Sequence, residues 1–168
     1  MIILKTPEEI EKIRRSSQIV AEIIEILKEN IKPGSSTMDL ELIAEGETKK
    51  RGAAPAFKGY RSYPYCLCTS LNSEVVHGMP SKKKVLKEGD ILSIDIGALY
   101  GGYYGDAAVT VPIGSVAPDV ARLVKVTEES LWKAVDAARE GSRLFDISHA
   151  VQSHVEAAGF SVVREFVG

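Results

Sequence analysis

Apolar positions along the first third of the chain recur with helical spacing. In "TPEEIEKIRRSSQIVAEIIEILKEN", Ile10, Ile13, Val20, Ile23, Ile24 and Leu27 form a stripe on a 3.6-residue period, with charges on the opposite side. The start of that helix is written in the chain: Thr6 is a capping residue, Pro7 suits the first helical position, and Glu9 completes a capping box. Pro33-Gly34 ends it. A second helix is predicted from Ser36 or Thr37 through "MDLELIAEGETKK" to a closing Gly52. Runs suited to strands follow at about 64–71, 90–98 and 103–111.

The same helix pattern then returns. "LWKAVDAAREGSRLFDISHAVQSHVEAAG" again holds an amphipathic helix, a Gly-Ser break, a second helix and a closing glycine. Gly34-Ser35, Asp39-Leu40 and Gly52 correspond to Gly141-Ser142, Asp146-Ile147 and Gly159, each pair 107 positions apart. An internal duplication is the reading. Repeat one covers about 1–112, and the helices of repeat two cover about 118–158. Only "FSVVREFVG" follows the second closing glycine, so the second copy is expected to lack its sheet and to leave apolar helix surface exposed or packed on the first sheet.

Two aspartates interrupt the strand-like runs in "SIDIGALYGGYYGDAAVT". A Gly pair between such runs signals a hairpin, because glycine accepts φ > 0 without penalty. With the loop centred between Tyr100 and Gly101, Asp95 and Asp106 are direct cross-strand partners. Like charges so placed repel unless a cation lies between them. Leu92, Ile94, Ile96 and Ala98 fill one face of the first strand, so Asp95 shares the other with Ser93 and Gly97, small residues that leave room for a pocket wall. The alternatives are a solvent-facing hairpin, or a register shifted by one that separates the pair.

Composition narrows the setting without choosing a chemistry. The 168 residues are 45% hydrophobic and 26% charged, with a formal net charge of −2, as in ordinary globular proteins. No basic field marks a nucleic-acid binder, and the run "SKKKVLK" reads as a solvated loop. The N-terminus has a four-residue apolar start followed by charges, which fits neither a signal peptide nor a membrane span, so a cytoplasmic location is expected. Cys66 and Cys68 share a face if both lie on a strand, and they read as packing thiols at a pocket edge. His149 and His154, five apart on a helix, read as surface or packing residues.

Three segments taken together, "FKGYRSYPYCLCTSLNSEVVHGMP", "LKEGDILSIDIGALYGGYYGDAAVT" and the closing "GFSVVREFVG", resemble the bacterial type I methionine aminopeptidases, metallopeptidases of the pita-bread (creatinase/aminopeptidase) fold. The resemblance spans nearly the whole chain. It implies an α+β fold, here a single incomplete catalytic domain over 1–168 with one helix-helix-antiparallel-sheet repeat and the helices of the second. It also implies metal-dependent removal of N-terminal methionine from nascent peptides by the complete enzyme. Asp95 and Asp106 match two ligands of a site for two divalent ions, with Co, Mn, Fe and Zn all compatible with the ligand types. His77 matches the histidine that contacts the substrate amide, a role suited to a group that donates or accepts near neutral pH. Phe57, Tyr60, Tyr63 and Cys68 match the surroundings of the methionine side chain, where aromatic faces and a thiol suit a thioether. Phe57 stands where a smaller residue can occur in relatives, so a narrower pocket is the expectation.

The family pattern continues past "REFVG" with a histidine ligand and two further glutamates, one of them the usual general acid/base. This chain carries two of the five protein ligands, so it is expected to bind metal weakly or partially and to be inactive alone. Its expected partners are nascent peptide N-termini, with the ribosome, a complementing C-terminal segment or a second copy of the chain also open. No direct nucleic-acid or membrane binding is expected. The rival readings are a proline-specific pita-bread aminopeptidase and a non-catalytic binding module of the same fold.

Overall fold

The computed structural model describes residues 3–164. The chain divides into two compact units, Met1–Val116 and Ala117–Gly168. The first holds helices α1 (Pro7–Asn30) and α2 (Thr37–Lys50), strand β1 (Ala54–Pro55), a 3-10 turn (Tyr60–Ser62), and strands β2 (Leu67–Leu71), β3 (Ile91–Tyr100) and β4 (Tyr103–Pro112).

Local chemistry sets the helix starts. At α1 the Glu9 carboxylate accepts from the Thr6 N–H at 2.8 Å while the Thr6 hydroxyl accepts from the Glu9 N–H at 3.2 Å, satisfying donors that have no partner within the helix. Ser36 and Asp39 repeat the arrangement at α2. The apolar stripe of α1 is buried at Ile19, Val20, Ile23, Ile24 and Leu27. Ile10 is exposed.

All sheet pairings are antiparallel, and β3 is the hub. β4 runs along one of its edges for the full length, and β1 and β2 share the other: Ala54 pairs with Leu99, and Leu67 to Leu71 pair with Ile96 to Leu92. Leu92, Ile94, Ile96 and Ala98 are fully buried and form one core with α1, Leu40 and Ala44 of α2, and Leu67. Alternation along β3 therefore delivers its other face, Ser93, Asp95 and Gly97, to the far side of the sheet.

Close approach of α1 to the sheet depends on two small residues. The Ser16 hydroxyl lies 2.9 Å from the carbonyls of both Ala98 and Tyr103. Gly105, on the core face of β4, has no room for a Cβ, which would stand 2.5 Å from the backbone of Ser16 and Ser17. The buried Glu41 carboxylate of α2 accepts from the N–H groups of Cys66 and Leu67, each at 2.9 Å, and so fixes where β2 begins.

The second unit comprises α3 (Pro118–Ala137) and α4 (Leu144–Ala157). The start of α4 repeats that of α2: Asp146 accepts from the Arg143 N–H at 2.8 Å, as Asp39 accepts from Ser36 at 2.8 Å, and 143 and 146 each lie 107 beyond their counterparts. His154 meets Glu129 across the pair at 3.0 Å, and the Arg122 guanidinium lies over the Phe160 ring at 4.6 Å. The His149 ring lies within hydrogen-bond distance of the Ser153 hydroxyl, one turn along the same helix. Leu144 and Phe145, 76% and 81% exposed, leave apolar surface open, as do Trp132 and Val135. Among the described residues no strand follows α4. The last four residues of "GFSVVREFVG" lie outside the described residues.

Candidate metal and peptide site

The hairpin turn differs by one step from its expected centre. Tyr100 pairs with Tyr103, leaving Gly101-Gly102 as a two-residue loop with φ of +58° and +85°, the primed turn whose twist matches the strands and which two glycines permit. Asp106 therefore faces Gly97, and Asp95 faces Ala108. The two carboxylates are diagonal neighbours instead of direct partners. Because the register moves by two in the sum of paired numbers, 203 in place of 201, the face is preserved and both aspartates still project from the same side. Diagonal positions about 7–8 Å apart at Cα remain within reach of side chains.

Electrostatics records their proximity. Asp95 is half-buried, and its carboxyl is pushed up to about 6, first by burial and next by the negative charge of Asp106. His77 works against that rise.

His77 sits on the loop after β2, with φ of +59°. Its placement is secured by its neighbour: the Thr69 N–H donates to the Gly78 carbonyl at 2.7 Å, and the Gly78 N–H donates to the Ser70 hydroxyl at 3.1 Å. The loop thus straps onto the free edge of β2 and holds the imidazole at the carboxylate face.

The apolar side of the site comes from the segment between β1 and β2. An open cleft of about 690 Å³ is lined by Phe57, Tyr60, Tyr63 and Cys68 together with His77, Asp95 and Asp106, so every candidate residue is in one place. Cys68 pairs with Asp95 across β2 and β3, which puts its thiol on the carboxylate face. Burial raises the thiol above its ordinary range, helped by the charges of Asp95 and Asp106 and opposed by the Tyr63 side chain. The Tyr63 hydroxyl donates to the Leu67 carbonyl at 3.0 Å, and burial raises it too. Tyr63 packs edge-on to Tyr65 with centroids 6.0 Å apart.

Cys66 departs from the expectation of a shared face. It lies in a bend just before β2, so strand alternation does not apply, and it is buried in the core beside Glu41 while Cys68 faces the cleft. Both are free thiols.

Some contributors had a weak sequence signal or none. Gly97 is needed because a Cβ there would stand 2.8 Å from the Phe57 ring, so the larger aromatic is seated directly on the sheet. Only the tertiary approach reveals that need. Arg61, Ser62, Pro64 and Met79 also line the cleft. The first three stand within "GYRSYPYCLC", but their side chains alone do not mark them.

The donor set suits a hard or borderline divalent cation in part. Two carboxylates on one face, one of them protonating more readily because of burial and then of its neighbour's charge, are the arrangement a cation relieves. Among the described residues no group of three or more His, Cys, Asp or Glu side chains converges for a metal, so these two oxygen donors are a partial shell.

Comparison with known proteins gives the same picture. Residues 11–168 match the model of metallopeptidase family M24. Methionine aminopeptidase 1 of Bacillus subtilis is 53% identical over 168 residues, covering all of this chain and 67% of that protein. Methionine aminopeptidase of Clostridium acetobutylicum is 51% identical with the same coverage. The crystal structure of methionine aminopeptidase from Thermotoga maritima superposes with a TM-score of 0.97 at 48% identity, covering all of this chain and 68% of that one. Prolidase from Pyrococcus furiosus is more distant, at 27% identity and a TM-score of 0.82 over 94% of this chain and 45% of its own. The chain spans about two thirds of the length of its methionine aminopeptidase relatives.

Proposed function

Because the chain belongs to metallopeptidase family M24, among its bacterial type I methionine aminopeptidases of pita-bread fold, we propose that its cleft serves removal of the initiator methionine from nascent peptides. The observation that carries the reading is the convergence of Asp95, Asp106 and His77 with Phe57, Tyr60, Tyr63 and Cys68 in one cleft.

Asp95 and Asp106 would hold the metal, two divalent ions in the complete enzyme, with Co, Mn, Fe and Zn all acceptable to their oxygens. When bound, divalent ions supply Lewis acidity toward a peptide carbonyl and toward water. The chain's own residues do the rest. The aromatic and thiol wall takes the thioether side chain out of water, and a side chain of that size is worth about 1.5–3 kcal/mol when fully buried. That binding fixes which peptide bond lies over the carboxylates. His77, strapped to β2, offers its imidazole to the amide of that bond.

The proline-specific reading has less support, since the prolidase likeness is weaker in both sequence and structure. We read the two units as copies of one helix-pair design, on the matching caps 107 residues apart. No described helix is long and apolar enough to cross a membrane. Cytoplasmic nascent chains, at the ribosome or released from it, are the proposed substrates.

Two carboxylates are a partial shell, so this 168-residue chain is expected to bind Mn²⁺ weakly and to hydrolyse no Met-peptide. The test is calorimetric Mn²⁺ titration and Met-Ala-Ser hydrolysis, with the chain alone and with a segment matching the remaining third of its relatives. Activity that appears only with the segment supports the reading. Tight capture of a protein partner with no activity under either condition supports the non-catalytic module instead.

A further inference from the structure

We propose that Arg61 is a specificity-determining residue of the cleft, pairing with a carboxylate that the peptide carries two residues beyond the cleaved bond; this rests on the peptidase reading of the cleft. Four observations converge on it. Arg61 lines the cleft together with Asp95 and Asp106, and among the described residues no other Lys or Arg does. It has no carboxylate within ion-pair distance among the described residues, unlike Arg14, Arg15, Arg51, Arg122 and Arg139. Its guanidinium is held over the Tyr60 ring at 5.5 Å, a stacking that orients the planar fork without consuming its donors. Its backbone is left-handed, φ +46° and ψ +38°, and Ser62 follows at φ +67°. Consecutive non-glycine residues in that region are uncommon and gather at ligand clamps.

The polarity of the cleft sets the direction. The carboxylate pair and His77 mark where the cleaved bond lies, and the apolar wall takes the first side chain. The rest of the peptide leaves toward solvent, where Tyr60 and Arg61 are exposed. An extended peptide advances about 3.3–3.6 Å per residue. A carboxylate two residues on therefore lies about 7 Å from the bond, a span that the long side chain of an arginine and a cleft of about 690 Å³ both accommodate.

The test is an NMR titration of the metal-free chain with Met-Ala-Ser and with its C-terminal amide at low salt, following the cleft tyrosines. The free acid should bind about 1.5- to 5-fold tighter, the range for one solvent-accessible charge pair, and the ratio should fall toward one in 0.5 M salt. Arg61→Asn, chosen because asparagine tolerates the left-handed backbone, should keep affinity for the amide and lose the ratio. Arg61→Lys should keep part of it. Equal binding of acid and amide by the wild-type chain, or a ratio that survives in Arg61→Asn, overturns the role of Arg61 while leaving the methionine cleft standing. No saturable binding of either peptide overturns the cleft reading and this inference with it.

Discussion

Asp95 is held in the fold at a cost that its replacement should reveal. Its carboxyl is raised from 3.8 to about 6 by burial and by Asp106. The folded pKa exceeds the unfolded one, so the penalty is absent below about pH 4, where both states are protonated. It grows as pH rises and is complete above about pH 6. A shift of about two units corresponds to about 3 kcal/mol. Asp95 is only half-buried, and solvent screening reduces this to about 1–1.5 kcal/mol. Asp95→Asn removes the charge and keeps the shape. In EDTA at pH 7.5 the variant should therefore be more stable than the wild-type chain by about that amount, or roughly 2–6 °C in Tm. The advantage should vanish near pH 4. Urea melts followed by circular dichroism at the two pH values measure it. With Mn²⁺ added at pH 7.5, the wild-type chain alone should gain stability. A variant less stable than wild type at pH 7.5 in EDTA, or equally stabilised at both pH values, refutes the account of why these carboxylates need a cation.

Mn²⁺ affinity of the wild-type chain should fall as pH drops through about 6, since protons compete for Asp95; a flat calorimetric profile between pH 5 and 7.5 speaks against its being a ligand. Gly97→Val should displace the Phe57 ring and weaken binding of a methionyl peptide by at least several-fold, read in the same NMR titration, with far less effect on Mn²⁺ binding. Glu41→Ala removes the acceptor for the Cys66 and Leu67 N–H groups and should cost about 2–5 kcal/mol in urea melts, because two buried donors lose their partner. Ile19→Ala, at a fully buried position of the α1 stripe, should cost about 2–5 kcal/mol.

Much of this protein is legible in one dimension because its signals are local. Thr6, Pro7 and Glu9 announce α1 through hydrogen bonds that span three residues, and Ser36 with Asp39 does the same for α2. Alternation along β3 assigns Leu92, Ile94 and Ile96 to the core and Asp95 to the opposite face, whichever partner strand lies alongside. The motif order that resembles the methionine aminopeptidases places His77 and both aspartates without reference to geometry.

What the linear pattern could not supply depends on contacts between distant segments. The turn at Gly101-Gly102 sits one position from its expected centre because either glycine-containing loop closes the strands, and the local pattern does not choose between the two registers. Cys66 and Cys68 separate because Glu41, twenty-five positions earlier, pins the chain in a bend before β2. Gly97 and Phe57 are coupled only when the segment after β1 folds across β3. Periodicity and capping act over a few residues, and the chain determined its elements and its carboxylate face through them. Register, pocket shape and the placing of Arg61 arise where segments far apart in sequence exclude one another's volume, and tertiary structure alone decided those.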